Sequence, residues 1–371
     1  MTVRVGMDLL WCVPGVGGSD DYLVRQLLGL AVLDHDYDVT VFAPRGFSAS
    51  HPEIASAYNV VEAPSRCTSR LLRVIIQHTW LAIVSRRCDL MHFGGGTMPR
   101  AVRQRSVLTM HDIQWVDYPE YVRPLKRKYL QRSVPNSIRR ANVVAVPSEF
   151  VRQTLIEHVG AAETKVVVVP HGVEATLASA PTSEKELRSR YSLGDGPIVV
   201  YPATTHPHKN HAFLVQLMAD RIGDWADPLL RLVVTGSEGG AHEALLQLIA
   251  QLSIADRVRL VGRVSADDRD GLIAMADALV FPSEYEGFGA PVIEAMAIGV
   301  PVICSDRASL PEVVDNAGII APLTVDAWTN ALTAARSRRG ELVEAGRRRV
   351  AHFTARTSAE ILLTVYDKAM S

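Results

Sequence analysis

Two hydrophobic periods alternate along this chain. Short runs of Val, Ile and Leu are each followed by a longer segment in which apolar residues recur every three or four positions. Short apolar runs are typical of strands buried on both faces of a sheet, and the longer pattern is typical of amphipathic helices. The predicted strands are 2–9, 38–43, 90–93, 106–110, 143–146, 165–169, 198–201, 231–235, 257–261, 278–281, 302–304 and 318–321, and the clearest predicted helices are 22–33, 149–158, 267–276 and 327–335.

The order of these elements predicts the fold class. Strands that alternate with helices form parallel sheets covered on both faces, so we expect an α/β protein. The strands fall into two series, which predicts two Rossmann-like, doubly wound domains rather than one long sheet. Pro170-His171-Gly172 and the polar stretch after it mark the boundary, so the predicted domains are 1–172 and 173–354. A length of 371 residues agrees with two domains.

Composition narrows the class of protein. Hydrophobic residues make up 48% and charged residues 21% of the chain, as in folded globular proteins, and a net charge of −1 does not suggest a nucleic-acid partner. Cys12, Cys67, Cys88 and Cys304 lack the spacing of a zinc site or a disulfide framework, so we expect a reducing, cytoplasmic setting. Asp8 interrupts the N-terminal apolar stretch, and no run reaches about 18 apolar residues, so neither an export signal nor a membrane span is expected.

The strongest candidate site follows the predicted strand 278–281. From residue 281 to residue 294 the sequence is Phe-Pro-Ser-Glu-Tyr-Glu-Gly-Phe-Gly-Ala-Pro-Val-Ile-Glu. Ligands of open α/β sheets bind beyond the carboxyl ends of the strands. We expect Glu286 in the loop, Glu294 in the first turn of the next helix, and a phosphate at the amides where that helix begins. A glutamate that merely balances the helix dipole is an alternative explanation of Glu294, but it does not explain the Gly-Phe-Gly.

A second polar loop follows the predicted strand 198–201. It contains Lys209, a compact cation suited to a phosphate. His206, His208 and His211 in the same loop are potential metal ligands. No carboxylate or cysteine is interleaved with them, so we expect no metal site.

Two loops in the first half are weaker candidates. Residues 14–19 follow the first strand and precede a helix, where Gly17 and Gly18 allow an anion to approach the backbone. This loop does not match a dinucleotide fingerprint, and a tight turn is an equal alternative. His111 and Asp112 follow another strand, where they either orient a substrate and move a proton or form an ordinary polar loop.

Taken in chain order, these motifs resemble the retaining glycosyltransferases of family 4, which have the GT-B fold. The resemblance spans nearly the whole chain, and it includes two glutamates with seven residues between them, Glu286 and Glu294. It implies two Rossmann-like domains facing a central cleft, the first binding the acceptor and the second binding the donor. It also implies a C-terminal helix, 355–371, that crosses back to the first domain. Other matching segments are 17–19, 111–112, 148–149, 170–173, 207–211, 260–264, 305–306 and 310–312.

The resemblance also carries family roles onto individual residues. The catalytic residues it implies are His111, beside the reacting sugar, Lys209 and Glu286, and Asp112 joins His111 on the acceptor side. Lys209 and the two glycines of the first loop would hold the diphosphate, Glu294 the ribose, and Val264 would border the base. The full donor-binding set is Gly17, Gly18, Lys209, Val264, Glu286, Gly287, Phe288, Gly289 and Glu294.

The implied activity is transfer of a hexose from a nucleotide-diphosphate sugar to a glycan or glycolipid acceptor in cell-surface polysaccharide synthesis. GDP-mannose is the expected donor because many relatives use it, followed by UDP-hexoses and dTDP-rhamnose. No cofactor and no metal are implied, because a lysine and a helix dipole stabilise the leaving diphosphate. The alternatives are a sugar-nucleotide epimerase of the same fold and a catalytically degenerate partner subunit.

One position departs from the family pattern. Ala203 stands six residues before Lys209, where many relatives carry an arginine. Either another group assists Lys209, with Arg263 as the candidate, or charge on the diphosphate is less fully neutralised.

The first half also carries a concentration of basic residues, in 120–140 and around the apolar segment 71–84. A solvated helix face is one explanation. The equal alternative is a surface for anionic lipid, or for a phosphate-bearing lipid-linked acceptor, at the inner membrane face. These residues are Arg66, Arg70, Arg73, Arg86, Arg87, Arg123, Lys126, Arg127, Lys128, Arg132, Arg139 and Arg140.

Overall fold

Two compact units make up the chain. The computed structural model describes residues 2–13, 20–174, 177–220 and 229–371. Unit 1 consists of Met1–Gly172 with Phe353–Ser371, and unit 2 consists of Val173–His352. Each unit contains one parallel β-sheet covered by helices, so the predicted α/β class is confirmed.

All twelve predicted strands are present, with ends that differ from the prediction by no more than one residue. The structure adds a further strand, Asn59–Glu62, at the edge of the sheet in unit 1. Its residues are half-buried or exposed, so it lacks the apolar run of a strand covered on both faces. The strands are β1 Val3–Asp8, β2 Tyr37–Ala43, β3 Asn59–Glu62, β4 Leu90–Phe93, β5 Arg105–Thr109, β6 Val143–Val146, β7 Val166–Val168, β8 Ile198–Pro202, β9 Arg231–Thr235, β10 Val258–Gly262, β11 Ala278–Phe281, β12 Val302–Ser305 and β13 Ile319–Ala321.

The helices lie between the strands, and a π-helical turn, Gln77–Leu81, joins two of them into one helical segment. The helices are α1 Asp20–Ala31, α2 Phe47–Ser50, α3 Pro52–Ala57, α4 Arg70–Ile76, α5 Ala82–Val84, α6 Gln114–Asp117, α7 Pro124–Arg140, α8 Glu149–Val159, α9 Glu184–Arg190, α10 His211–Ala219, α11 His242–Gln251, α12 Ala266–Ala274, α13 Ala290–Ile298, α14 Leu310–Val314, α15 Val325–Ser337, α16 Arg339–Val350 and α17 Ala355–Met370. Within the described ranges, no helix has the length and apolar character needed to cross a membrane.

The sheet of unit 1 has the strand order β3-β2-β1-β4-β5-β6-β7. Along the chain, pairing first proceeds outward from β1 to β3 and then resumes on the other side of β1 with β4. The carboxyl ends of β1 and β4 therefore flank a topological switch point, which is where open α/β sheets bind ligands.

Helix α17 belongs to unit 1 and packs against α1. A Cβ atom at Gly29, in the last turn of α1, would lie 2.1 Å from the carbonyl oxygen of Ala355. A Cβ atom at Gly172 would lie 2.4 Å from the Cα of the same alanine. Because both glycines leave room for the backbone of Ala355, the start of α17 packs closely against α1 and Gly172.

A buried histidine ties α17 to the same sheet. The Nδ1 atom of His92, on β4, lies 3.0 Å from the Tyr366 hydroxyl, and its Nε2 lies 2.7 Å from Oγ1 of Thr109. Burial lowers the pKa of His92 to about 3, so its imidazole is neutral in the folded protein at neutral pH.

The sheet of unit 2 has the order β10-β9-β8-β11-β12-β13. Its switch point lies between β8 and β11, so the loops that follow these two strands are neighbours. The core includes the fully buried rings of Tyr201, Phe281 and Trp328. The two strongest motifs of the sequence occupy these neighbouring loops.

Candidate active site

In unit 2, the structure brings together two predicted residues that are far apart in the sequence. The Nζ of Lys209, in the turn after β8, lies 2.5 Å from Oε1 of Glu286, in the loop after β11. Their side chains are only 19% and 11% exposed, so this ion pair is largely shielded from water. The backbone amide of Glu284 also donates to the carbonyl of His208 at 2.8 Å, which joins the two loops directly.

Buried hydroxyl groups hold these two loops in place. The Tyr201 hydroxyl donates to the carbonyl of Lys209 at 2.7 Å and lies 3.0 Å from Oγ of Ser283. The hydroxyl of Ser305 donates to the carbonyl of Ser283 at 2.5 Å, and that of Ser309 donates to the carbonyl of Glu286 at 3.0 Å. The catalytic candidates therefore rest on a rigid support of hydroxyls, whose contacts no local sequence pattern reveals.

Helix α13 begins immediately after the Gly-Phe-Gly segment. Gly289 precedes the helix with a φ of 93°, a left-handed conformation that favours glycine. A Cβ atom there would also lie 2.7 Å from Cδ2 of Leu310. Phe288 is buried beside it. The glycine thus satisfies both a backbone and a packing requirement at the positive end of the helix.

The prediction that Glu294 lies in the first turn of the helix was wrong. The helix starts at Ala290, which makes Glu294 its fifth residue and places it in the second turn. The side chain is buried, at 5% exposure. Because the dipole effect fades within the first turn, a glutamate that merely balances the dipole no longer explains this residue.

Two histidines of the β8 loop, His208 and His211, are uncharged at neutral pH. Burial and the nearby charge of Lys209 lower the pKa of His208 to about 3. Burial, outweighing a hydrogen bond to the carbonyl of Ala203, lowers the pKa of His211 to about 4. In the part of the chain that the structure describes, no three His, Cys, Asp or Glu side chains are placed to hold a metal ion. Ala203 is buried and contributes no charge beside Lys209.

In unit 1, His111 lies just beyond β5 at the carboxyl edge of the sheet. Its Nε2 lies 3.0 Å from the carbonyl oxygen of Gly94, and its ring packs 5.1 Å from that of Trp11 and 5.3 Å from that of Tyr22. Burial lowers the pKa of His111, so the imidazole is neutral. A neutral ring must donate to the carbonyl from Nε2, which leaves Nδ1 as a hydrogen-bond acceptor. Asp112 is exposed, and its carboxylate accepts the backbone amide of Gln114 at 3.0 Å.

Two features of this edge were missed by the sequence analysis. Gly94, Gly95 and Gly96 follow β4, and a Cβ at Gly94 would lie 2.1 Å from Cδ1 of Leu23. The three successive glycines after a predicted strand were the sequence feature that could have indicated close packing of another side chain against this backbone. The second feature is Asp8, the last residue of β1, which accepts the Leu10 amide at 3.0 Å and Nε2 of Gln77 at 2.6 Å. Burial raises the pKa of this carboxyl to about 6.

The other predicted residues differ in what the structure describes of them. Gly17 and Gly18 lie outside the described residues. Val264 is half-buried and follows β10, which is separated from β8 by β9. Arg263, the candidate replacement for the arginine absent at Ala203, is exposed.

Two family models together match most of the chain. Residues 16–177 match the model described as Glycosyltransferase Family 4, and residues 183–348 match the model described as Glycosyl transferases group 1. The chain therefore belongs to the family 4 glycosyltransferases.

Relatives and solved structures agree with this family. The O-antigen chain mannosyltransferase B of Escherichia coli is 32% identical over 231 residues, which cover 60% of this chain and 59% of that protein. A GDP-mannose-dependent alpha-(1-6)-phosphatidylinositol monomannoside mannosyltransferase of Mycolicibacterium smegmatis is 27% identical, over 86% of this chain and 85% of that protein. Sucrose-phosphate synthase from Thermosynechococcus elongatus superposes with a TM-score of 0.77 at 22% identity, covering 99% of this chain and 98% of that one. The fold is GT-B, and the enzyme is a hexosyltransferase.

Proposed function

We propose that this enzyme transfers mannose from GDP-mannose to a glycan or glycolipid acceptor, with retention of the anomeric configuration. The observation that carries the proposal is the shielded pair of Lys209 and Glu286 beside the N-terminus of α13. GDP is favoured over other nucleotides because the name of the Mycolicibacterium relative gives GDP-mannose as its donor.

The chemistry assigned to unit 2 is stabilisation of a departing nucleoside diphosphate. Lys209 and the dipole of α13 supply positive potential where negative charge develops. Glu286 keeps the lysine in position and accepts hydrogen bonds from the donor sugar. Glu294 binds the ribose. With these groups, the chemistry requires no metal ion.

Because none of the described carboxylates is assigned as a nucleophile, the proposed reaction forms no covalent sugar–enzyme intermediate. The acceptor oxygen forms a bond to the anomeric carbon on the face from which the diphosphate leaves, and the carbon–oxygen bond to the diphosphate breaks. The acceptor proton passes to the departing phosphate oxygen. Neutral His111 contributes a hydrogen-bond acceptor at Nδ1 rather than a charge.

Donor binding tests the first part of this proposal. Unfolding temperatures are measured with GDP, UDP and dTDP, because a ligand at 100 times its dissociation constant stabilises a protein by about 2.7 kcal/mol. We expect the largest rise with GDP. A larger rise with another nucleotide would change the donor, and no rise with any nucleotide would reject nucleotide-sugar transfer.

Product analysis tests the reaction itself. GDP-mannose incubated with enzyme is expected to release GDP and, with water as acceptor, α-mannose, at a rate that a metal chelator leaves unchanged. Initial formation of β-mannose would reject retention. Conversion to another sugar would identify an epimerase, and nucleotide binding without turnover would identify a degenerate partner subunit.

We place the reaction at the cytoplasmic face of a membrane. Leu71 on α4 and Leu125 on α7 are 71% and 82% exposed, among the basic residues that the sequence concentrates there. Exposed apolar side chains surrounded by lysine and arginine favour an anionic lipid surface.

Sedimentation with vesicles tests this location. The protein is expected to bind anionic vesicles in a salt-sensitive manner and neutral vesicles weakly. Leu71→Ser with Leu125→Ser, and separately Arg127→Glu with Lys128→Glu, should each weaken binding. Equal sedimentation with neutral vesicles, or none with either kind, would remove the membrane from the proposal.

A further inference from the structure

A polar cavity of about 190 Å³ opens in unit 1 beside His111. Its lining comes from the loop after β4, through Gly95, Gly96 and Thr97, and from the loop after β5, through His111 and its neighbours. Arg70 of α4 and Lys126 of α7 also line it, and both are exposed at its mouth. This volume is many times the space that one water molecule needs, so the cavity has room for a phosphate group.

Positive charge predominates in this cavity. Among the described residues, neither Arg70 nor Lys126 forms an ion pair, and the Arg70 guanidinium instead lies 5.6 Å from the centre of the Tyr129 ring. Partial burial of its ammonium group and then the like charge of Arg70 lower the pKa of Lys126, while the charge of Asp112 opposes this shift. Asp112 is the acid of the lining, and its carboxylate already accepts the amide of Gln114. With His111 neutral, the net charge of the lining is positive.

Several hydrogen-bond donors of the cavity lining have no acceptor among the described residues. Within the described ranges, the backbone amides of Gly95, Gly96 and Thr97 donate to no protein acceptor. The side-chain Nε2 of Gln114 is buried and likewise has no partner in the part of the chain that the structure describes. A neutral sugar hydroxyl both donates and accepts, whereas a phosphate group offers several acceptor oxygens and a negative charge. The lining therefore matches an anion better than it matches an uncharged sugar.

We propose that this cavity binds a phosphate group carried by the acceptor, with Arg70, Lys126 and Gln114 as its side-chain ligands. The inference rests on the proposed function, since that function makes unit 1 the acceptor-binding unit. It adds the chemical class of the acceptor: a phosphorylated sugar or a phosphate-bearing lipid, placed beside His111.

Calorimetry at fixed ionic strength tests the proposal. It measures the binding of inorganic phosphate and of glycerol 3-phosphate, with glycerol as the uncharged comparison. Arg70→Gln with Lys126→Gln is expected to weaken binding of both phosphates at least about tenfold, because two charge-assisted contacts are lost. The matched control is Arg127→Gln with Lys128→Gln, which removes the same charge from exposed positions of α7 outside the cavity lining. It should weaken binding less than about twofold. Glycerol should not bind measurably.

The variant Lys209→Met shows whether phosphate binds in this cavity or at the donor site of unit 2. Phosphate affinity that survives Lys209→Met and falls in the Arg70/Lys126 variant supports the proposal. Three results would overturn it. The first is a phosphate affinity that falls only in Lys209→Met, and the second is an equal fall in phosphate affinity in the two charge-matched variants. The third is a native protein that does not bind phosphate. Failure of GDP to bind rejects the proposed donor without altering these results, so the two proposals fail separately.

Vesicles identify the source of the phosphate. Phosphatidylcholine vesicles with and without phosphatidic acid are compared for the two charge-matched variants. A greater loss of binding in the Arg70/Lys126 variant identifies a lipid phosphate in the cavity. Equal losses on vesicles, together with selective loss of glycerol 3-phosphate, identify a soluble phosphorylated acceptor.

Discussion

Replacing Lys209 with methionine separates the two roles of its pair with Glu286. The substitution keeps most of the side-chain volume and removes the charge, which leaves the Glu286 carboxylate in a site where it is only 11% exposed. Breaking a buried ion pair by removing one partner typically costs about 3–5 kcal/mol. Because both side chains retain some exposure, we take the lower end, about 3 kcal/mol.

The expected effects on stability and turnover differ in a measurable way. For a unit of about 180 residues, 3 kcal/mol corresponds to a fall in melting temperature of about 6–12 °C. Loss of the charge that stabilises the diphosphate should lower turnover about 10²–10³-fold. Adding Glu286→Gln removes the unpaired carboxylate, so the double variant should regain most of the lost stability while its turnover stays as low as that of Lys209→Met.

Thermal unfolding followed by circular dichroism, together with a GDP-release assay, measures both quantities for the native protein, the two single variants and the double variant. A double variant no more stable than Lys209→Met would refute the unpaired carboxylate as the cause of instability. Near-native turnover in the folded Lys209→Met protein would refute the lysine's role in the reaction.

Three further predictions concern the other glutamate, the buried histidine and the packing of α17. Glu294→Gln should weaken the affinity for free GDP, measured by calorimetry, by about tenfold. Glu286→Gln should leave GDP affinity unchanged and reduce transfer. A greater loss of GDP affinity in Glu286→Gln would contradict the assignment of Glu294 to the ribose and Glu286 to the sugar. The pKa of His92 is about 6.5 in the unfolded chain and about 3 in the folded protein. The free energy of unfolding therefore falls as the pH drops from about 6.5 to about 3, by at most about 1.4 kcal/mol per pH unit. The melting-temperature gap between native protein and His92→Gln should therefore narrow from pH 7 to about pH 5, and a constant gap would reject this linkage. Gly29→Ala should lower the free energy of unfolding by about 1–3 kcal/mol in chemical denaturation, because the added Cβ would lie 2.1 Å from a backbone atom. Alanine's higher helix propensity does not compensate for this overlap. The control is Gly340→Ala, in open space on α16, which should be neutral or stabilising.

Local patterns in the sequence were sufficient to predict most strands and the loops that carry the candidate chemistry. The apolar run 278–281 and the Gly-Phe-Gly after it identify a strand, a loop and a helix start without any tertiary information. The edge strand Asn59–Glu62 lacks such a run, because its residues are exposed or only half-buried. Glu294 lies just beyond the first turn, because the helix begins at Ala290. Hydrophobic periodicity determines neither the exposure of an edge strand nor the exact residue at which a helix begins.

Only the tertiary structure decided which of these residues meet. Lys209 and Glu286 form an ion pair because β8 and β11 are neighbours at the switch point of the sheet, although β9 and β10 lie between them in the sequence. The cavity beside His111 likewise combines α4 and α7 with the glycines after β4. Strand formation depends on local hydrophobic pattern, and so the sequence by itself determined the elements and the residues at their ends. Strand order depends on packing between distant segments, and so the structure alone determined the ion pair, the hydroxyl support beneath it and the positively charged cavity.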